Sequence, residues 1–259
     1  MNKLNLGCGT RYHPDWVNLN FTSTGPDVIA HNLYNGIPFN GESFEVVYHS
    51  HLLEHFPTSY APVFLKECHR VLKPDGIIRI AVPDLEQIAR SYVYFLEKSL
   101  QGDPEAQKRY EWIMIELCDQ MVRNKPGGEM LEFWKKKPMP AEDFVFKRVG
   151  PEIKRSILEF RNNTSYNSNH ENNNSKPGAF YQQPDIEKLS QYRVSGEIHQ
   201  WMYDRYSLSK ILAETGFYNI RQCHADESDI PNFRSYLLDT EETGMVRKPD
   251  SLFIEAYRG

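Results

Sequence analysis

The chain has little of what disulfide scaffolds, membrane proteins and nucleic-acid binders depend on. Its 259 residues hold four cysteines, Cys8, Cys68, Cys118 and Cys223, and no two form a Cys-x-x-Cys pair. That spacing argues against a disulfide framework and a zinc knuckle, and fits free thiols in a reducing compartment. No run of about 18 apolar residues occurs, so no membrane span is expected. The first residues reach a strand-like pattern at once, without the charged and apolar regions of a secretory leader. A basic excess is also missing. The formal net charge is -5, which argues against a general nucleic-acid binder. The one basic run, Lys135-Lys136-Lys137, stands before Pro138 and reads as a solvated helix end. Together these absences point to the cytoplasm.

What is present begins at residue 4. Leu4 to Leu6 is strand-like and breaks into Gly7-Cys8-Gly9. A strand that ends in glycines lets its backbone approach a ligand closely. A second apolar run, Trp16 to Leu19, ends in the polar Asn20, placed to meet a ligand hydroxyl. Further strand patterns cover Asp27 to Ala30, Glu45 to Tyr48 and Ile77 to Val82. A helix fits Tyr60 to Leu72, with Val63, Phe64, Glu67, Cys68, Val71 and Leu72 on one stripe. Lys66, His69, Arg70 and Lys73 suit its negative end, and Pro74-Asp75-Gly76 stops it. This is one αβ unit of a parallel sheet.

After Asp84 the character changes. Leu85 to Leu100 and Glu105 to Val122 read as amphipathic helices, and Ala141 to Phe160 as a third, weakened by Gly150-Pro151. Trp112, Ile113, Ile115 and Leu117 read as plain core. Asn162 to Ser175 is dominated by Asn and Ser, too polar to bury much surface, and is expected to be a flexible loop. Ser207 to Thr215 is a short helix stopped by Gly216. Tyr218 to His224 and Leu252 to Tyr257 are expected to close the sheet. The hydrophobic fraction, 40%, suffices for one core with an insertion. The expected fold is α/β: a Rossmann-like, mostly parallel sheet from 1–84 and 199–259, with an antiparallel closing strand. A helical insertion, 85–198, follows the fifth strand and is expected to cap the carboxyl ends of the strands, where open α/β sheets bind ligands.

Three segments carry a resemblance to Rossmann-type (class I) S-adenosylmethionine (SAM) dependent methyltransferases: LNLGCG at 4–9, IPFNGESFEVVYHSHLLEHF at 37–56 and LKECHRVLKPDGIIRIAVPD at 65–84. HQWMYDRYSLSKILAETGF at 199–217 fits the same pattern. Within that superfamily the chain is most similar to bacterial enzymes of unassigned small-molecule or saccharide substrate. The resemblance implies SAM as cofactor. It implies Leu6, Gly7, Cys8 and Gly9 under the methionine part, Asn20 on the ribose, Asn32 and Leu33 beside the adenine, and His49 and Ser50 at the sulfonium. Three departures stand out. Asn20 and Asn32 occupy positions usually held by acids, which make stronger hydrogen bonds as charged acceptors. The third family glycine is missing, with Arg11 in its region. The segments 9–17 and 21–26 are too short for the first two helices, which leaves the sheet thinly covered there and gives a second subunit of a homo-oligomer a place to pack.

HSHLLEHF holds the densest chemistry. A helix over Ser50 to Phe56 would put His51, Glu54 and His55 on one face at i, i+3 and i+4. One reading is local packing and capping. A second is acid/base work, in which a neutral histidine takes a proton from a hydroxyl acceptor. A third is metal binding by His51, Glu54 and His55, with His199 as a fourth ligand. That set resembles the Glu-x-x-Glu-His of metal-dependent O-methyltransferases, with His51 favouring a softer ion than magnesium. His-x-x-Glu-His is also an inverted zinc-protease motif, which needs a long helix, and Pro57 follows closely. Asp84 at a strand end is a catalytic candidate or a helix cap. His199, Trp201, Tyr203 and Asp204 suit a polar acceptor or lid packing, with Asp204 or Ser207 as a cap. The sequence therefore leads to a SAM-dependent methyltransferase acting on a small hydroxyl or saccharide-type acceptor, with His51, His199, Asp84 and Tyr203 as catalytic candidates. Loss of the acids also leaves room for a non-catalytic module with weakened cofactor binding.

Overall fold

The computed structural model describes residues 1–162 and 185–259. These divide into two compact units, 1–90 with 199–259, and 91–198. In the first unit, seven strands form one sheet in the order β3-β2-β1-β4-β5-β7-β6. They are β1 (Lys3–Leu6), β2 (Val17–Asn20), β3 (Val28–Ala30), β4 (Phe44–Ser50), β5 (Leu72–Pro83), β6 (Phe217–Cys223) and β7 (Ser251–Arg258). The pairings from β3 through β5 are parallel. β7 runs antiparallel between β5 and β6. This is a Rossmann-like sheet with an antiparallel closing strand, as the residue patterns predict.

The central strands are short aliphatic runs because both of their faces are covered. On one face Leu4, Leu6, Leu19, Val47, Ile78 and Ile80 pack with Phe64, Leu65, Cys68 and Val71 of α1 (Ala61–Val71). Burying one such large side chain contributes about 1.5–3 kcal/mol. α1 stops at the expected turn: Leu72 pairs with Phe44 and Ile77 with Val46, so Lys73 to Gly76 loop out of register. Asp75 takes a φ of 59° there. A Cβ on Gly76 would stand 2.8 Å from the Lys73 carbonyl oxygen, so this corner requires glycine.

No helix joins β1 to β2 or β2 to β3. The face this leaves bare is covered by the chain itself. Ile230, Phe233 and Leu238 pack with Trp16 against Val46 and Tyr48. The reason for expecting a second subunit there is thereby met within the unit. The fastening is Arg79, fully buried on β5. Its guanidinium donates to Asp239 and Glu255, each at 2.7 Å, and to the carbonyls of His224, Ala225 and Glu227.

In the second unit, α3 (Pro104–Val122), α4 (Gly128–Lys135), α5 (Glu142–Asn162) and α6 (Ile186–Arg193) follow α2 (Leu85–Leu100), which begins in the first unit. Of the expected apolar group on α3, Trp112 and Ile113 are fully buried, and Ile115 and Leu117 are half-buried. Trp112 Nε1 donates to Glu116 at 2.8 Å, and Glu116 also pairs with Arg148 of α5. α5 breaks at Gly150, with φ 78°, where Gly-Pro predicted a weak point. α4 ends at Lys135, where the basic run reads as a helix end, but its start is not marked in the sequence, and α6 is unexpected. α4 is held from outside by Asp119, which accepts from the Glu129 amide at 2.7 Å. Of the Asn-rich stretch expected to be a flexible loop, Asn162 ends α5 and the remainder lies outside the described residues.

Candidate active site

The carboxyl ends of β1, β2 and β4 bring the predicted positions to one edge of the sheet. Gly7 and Gly9 both have positive φ, 62° and 55°. The two serve different purposes. A Cβ on Gly7 would meet Leu52 Cδ1 at 2.8 Å, so the turn after β4 sits directly over the first glycine. A Cβ on Gly9 would meet nothing within 4 Å, so at Gly9 the backbone borders open space. The turn is tied to β2 by Cys8 N to Leu19 O, 3.1 Å, and by Gly9 N to Asn20 Oδ1, 3.3 Å. A strand-end glycine opening on free space, with an amide side chain beside it, fits a nucleoside-bearing ligand such as SAM.

Asn20 keeps donor capacity after giving one amide hydrogen to the Thr22 carbonyl. Asn32 caps the single 3-10 turn Leu33–Asn35 by accepting from the Tyr34 amide at 3.0 Å. Leu33 is buried, and its carbonyl accepts from the Tyr60 hydroxyl at 2.8 Å. Leu6 and His49 have no exposed surface. The His49 ring packs edge-on against Phe64 at 5.4 Å, and burial pushes its pKa down to about 3. Burial likewise pushes the Cys8 thiol up to about 11, which keeps it protonated at neutral pH. Arg11 donates to the Leu237 carbonyl at 2.8 Å, linking the glycine turn to the covering loop.

Ser50 ends β4, and the helix expected from Ser50 to Phe56 does not form. His51 takes a left-handed φ of 51°, and Leu53–His55 is a single 3-10 turn. The strand extends through Ser50, and the chain must reverse there to reach α1. This removes the inverted-protease reading, because the motif lacks its long helix. It also removes the i, i+3, i+4 face that would make His51, Glu54 and His55 a ligand set. The set brought together instead is Glu54, His55 and His199, whose ligand atoms lie within 4.8 Å of one another.

His51 occupies a different place. Its Nε2 meets Ser251 Oγ at 2.7 Å, and its Nδ1 stands 3.4 Å from Glu54 Oε1. The second distance is an ion-pair contact that falls short of hydrogen-bond geometry. Burial, with Lys248, His199, His55 and Arg247 nearby, holds His51 well below the ordinary imidazole range. Glu54 is fully buried, and burial raises its pKa to about 8. The amides of Gln200 and Trp201 donate to the Glu54 carbonyl at 2.7 and 3.2 Å, which pins the segment after His199 to this turn. Tyr203 is buried; burial first and Glu54 second push its hydroxyl up to about 12.

Asp84 accepts from the Gln87 amide at 3.0 Å and so caps α2, the plainer of its two expected roles. Asp204 and Ser207 form a full capping box on α7 (Arg205–Glu214). Sequence reasoning missed Ser251, Arg247 and Lys248, whose approach to His51 depends on a segment about 200 positions away. It also missed Tyr34, half-exposed and next to Asn32, with its ring 4.7 Å from Tyr60. An aromatic one residue beyond the predicted adenine pair was the available signal.

Comparison with known proteins gives one family match: residues 4–80 match the model described as a methyltransferase domain. No curated protein matches the chain. Among solved structures, it is similar to a SAM-dependent methyltransferase from Thermotoga maritima, at 10% identity, 100% of this chain, 82% of that chain and a TM-score of 0.41. A SAM-dependent methyltransferase from Archaeoglobus fulgidus gives 11% identity, 99% and 86% coverage and a TM-score of 0.39. The carbon methyltransferase of CurJ gives 11%, 100%, 48% and 0.41. The family match lies on the strands that carry the glycine turn, so residues 4–80 of this chain are similar to a methyltransferase domain.

Proposed function

We propose that the enzyme methylates a hydroxyl group of a small or saccharide-type acceptor, with His51 as the general base. The observation that carries this is the placement of the His51 ring between Ser251 Oγ, at 2.7 Å, and Glu54, at 3.4 Å, on the turn packed over Gly7. S-adenosylmethionine supplies a methyl group already activated on a sulfonium. The protein's remaining work is alignment and removal of one proton. In the tautomer that carries its proton on Nδ1, toward Glu54, Nε2 is the accepting nitrogen and meets the Ser251 hydroxyl. An acceptor hydroxyl that takes the place of Ser251 gives its proton to Nε2 as its oxygen attacks. A lowered pKa keeps His51 in its neutral, accepting form at physiological pH.

Gly9, Asn20, Asn32 and Leu33 are assigned to the cofactor, with Tyr34 added as an aromatic face for the adenine. Trp201, 46% exposed beside the Glu54 turn, offers an apolar face of the kind sugar rings stack on. Tyr203 and Asp84 are assigned to packing and capping. The insertion, 85–198, is assigned to acceptor selection. Cys8, Cys68, Cys118 and Cys223 are free thiols, which supports a cytoplasmic setting. No helix among the described residues is long and apolar enough to cross a membrane.

The test is SAM titration by calorimetry, followed by transfer of labelled methyl groups from SAM to a panel of saccharides and small alcohols. The expected result is micromolar SAM binding, with transfer to a hydroxyl that His51→Ala abolishes while SAM affinity persists. Wild-type transfer by His51→Ala, or methylation of nitrogen or carbon acceptors alone, rejects the reading.

A further inference from the structure

We propose that Glu54, His55 and His199 bind one divalent first-row transition-metal ion, with zinc as the reference ion. Three independent observations converge on it. The first is the donor set: one carboxylate and two imidazoles whose ligand atoms fall within 4.8 Å of one another. Donors held about 2.1 Å from a common ion stand roughly 3–4 Å apart, so small side-chain rotations close the set. Mixed nitrogen and oxygen ligands select zinc, iron, cobalt or manganese over magnesium or calcium, which prefer oxygen throughout.

The second is Glu54 itself. Its side chain has no exposed surface, and neither carboxylate oxygen has a hydrogen-bond partner. Such a group costs free energy in a folded core unless a charge or a donor meets it. An ion between Glu54 and the two imidazoles supplies that charge. The third is preorganisation. The Gln200 and Trp201 amides both donate to the Glu54 carbonyl, so the two chain segments that supply the donors are already joined. The rings of His55 and His199 lie 4.9 Å apart, nearly perpendicular at 85°. His51, 3.4 Å from Glu54 Oε1, is placed as an outer partner that orients the carboxylate.

Three protein ligands leave a coordination position for water or an acceptor oxygen, which the ion would polarise beside His51. That role rests on the hydroxyl-acceptor reading; the binding of metal does not. The ligand set differs from the His51, Glu54 and His55 set that the sequence suggests, because the 3-10 turn aims His51 elsewhere.

The experiment is calorimetric titration of full-length, chelator-stripped protein with zinc chloride alone, and with cobalt(II) chloride followed by visible absorption. One equivalent of zinc and a cobalt ligand-field spectrum are expected. Both should be lost in Glu54→Gln and in His199→Ala variants whose circular dichroism matches the parent. Should His199→Ala fail to fold, His55→Gln, at a half-buried position, should show the same loss. No stoichiometric uptake of either metal by the parent protein overturns the proposal. So does uptake that survives both Glu54→Gln and His55→Gln. Titrating the same sample with SAM separates the two readings. Metal uptake without SAM binding keeps the metal site and removes the methyl-donor reading, and SAM binding without metal uptake does the reverse.

Discussion

One face of the sheet and its carboxyl edge treat buried charge in opposite ways. Behind β5, Arg79 is fully buried yet meets two carboxylates, three carbonyls and the ring of Phe233 at 4.3 Å. Its partner Asp239 also accepts from the Tyr48 hydroxyl at 2.6 Å. At the carboxyl edge, Glu54 is equally buried and has no hydrogen-bond partner, and His51 holds a left-handed backbone. A satisfied network fixes one structure, whereas an unsatisfied cluster stores the capacity to bind. Both sets come from one compact unit, so the contrast reflects what each region does and not where it sits.

The largest effect should come from breaking the satisfied network. Arg79→Met leaves Asp239 buried without its cation and Glu255 with Arg221 alone, which costs about 3–5 kcal/mol. Denaturant unfolding measures it, and a loss under about 1 kcal/mol would mean the network is incidental. The matching change at the edge is His51→Gly. Glycine adopts a φ near +51° without strain, so folding stability should hold or rise, while turnover falls roughly 100-fold to 10,000-fold. A destabilised His51→Gly with normal turnover would reverse the comparison.

A pH scan sharpens it further. His49 is neutral in the fold, with a pKa pushed down to about 3, against about 6.5 when unfolded. Between those values the unfolded chain binds the proton and the folded chain does not, so stability is complete above about pH 6.5 and falls as pH drops toward 3. His49→Leu should flatten the upper part of that acid limb, between about pH 6.5 and 4.5, before the carboxylates titrate. An unchanged limb would show that His49 is not the group responsible. The smallest effect is expected at a satisfied surface device. Asp204→Ala removes the capping-box acceptor of α7 and should cost about 1 kcal/mol, read from the same unfolding curves, with turnover unchanged.

Much of the fold was legible because it follows local rules. The short aliphatic runs became strands, Leu85–Leu100 is helical between the residues expected, and Gly150-Pro151 broke α5. The start of α4 is not legible because it is held by Asp119 on another helix, which no local pattern around Gly127-Gly128 encodes. The site divides along the same line. The glycine turn, Asn20 and the residues of HSHLLEHF were visible as residue types. Their grouping was not, because helical spacing over Ser50 to Phe56 puts His51 with Glu54 and His55, whereas β4 runs on to Ser50 and the chain reverses at His51.

By itself the sequence determined the strands, the glycine turn and the extent of α1, because these depend on steric rules and periodicity within a few residues; the stripe of α1 was met only in part, since Val63 is exposed and Leu65 is buried in its place. Only the tertiary structure decided which histidine faces which partner. His51 meets Ser251 across 200 positions and Arg79 meets Glu255 across 176, and those distances close only when β7 inserts beside β5. Folding decided the rest: a glutamate and two histidines are ordinary in a sequence, and their donor atoms come within 4.8 Å of one another only once the segment after His199 is pinned to the Glu54 turn.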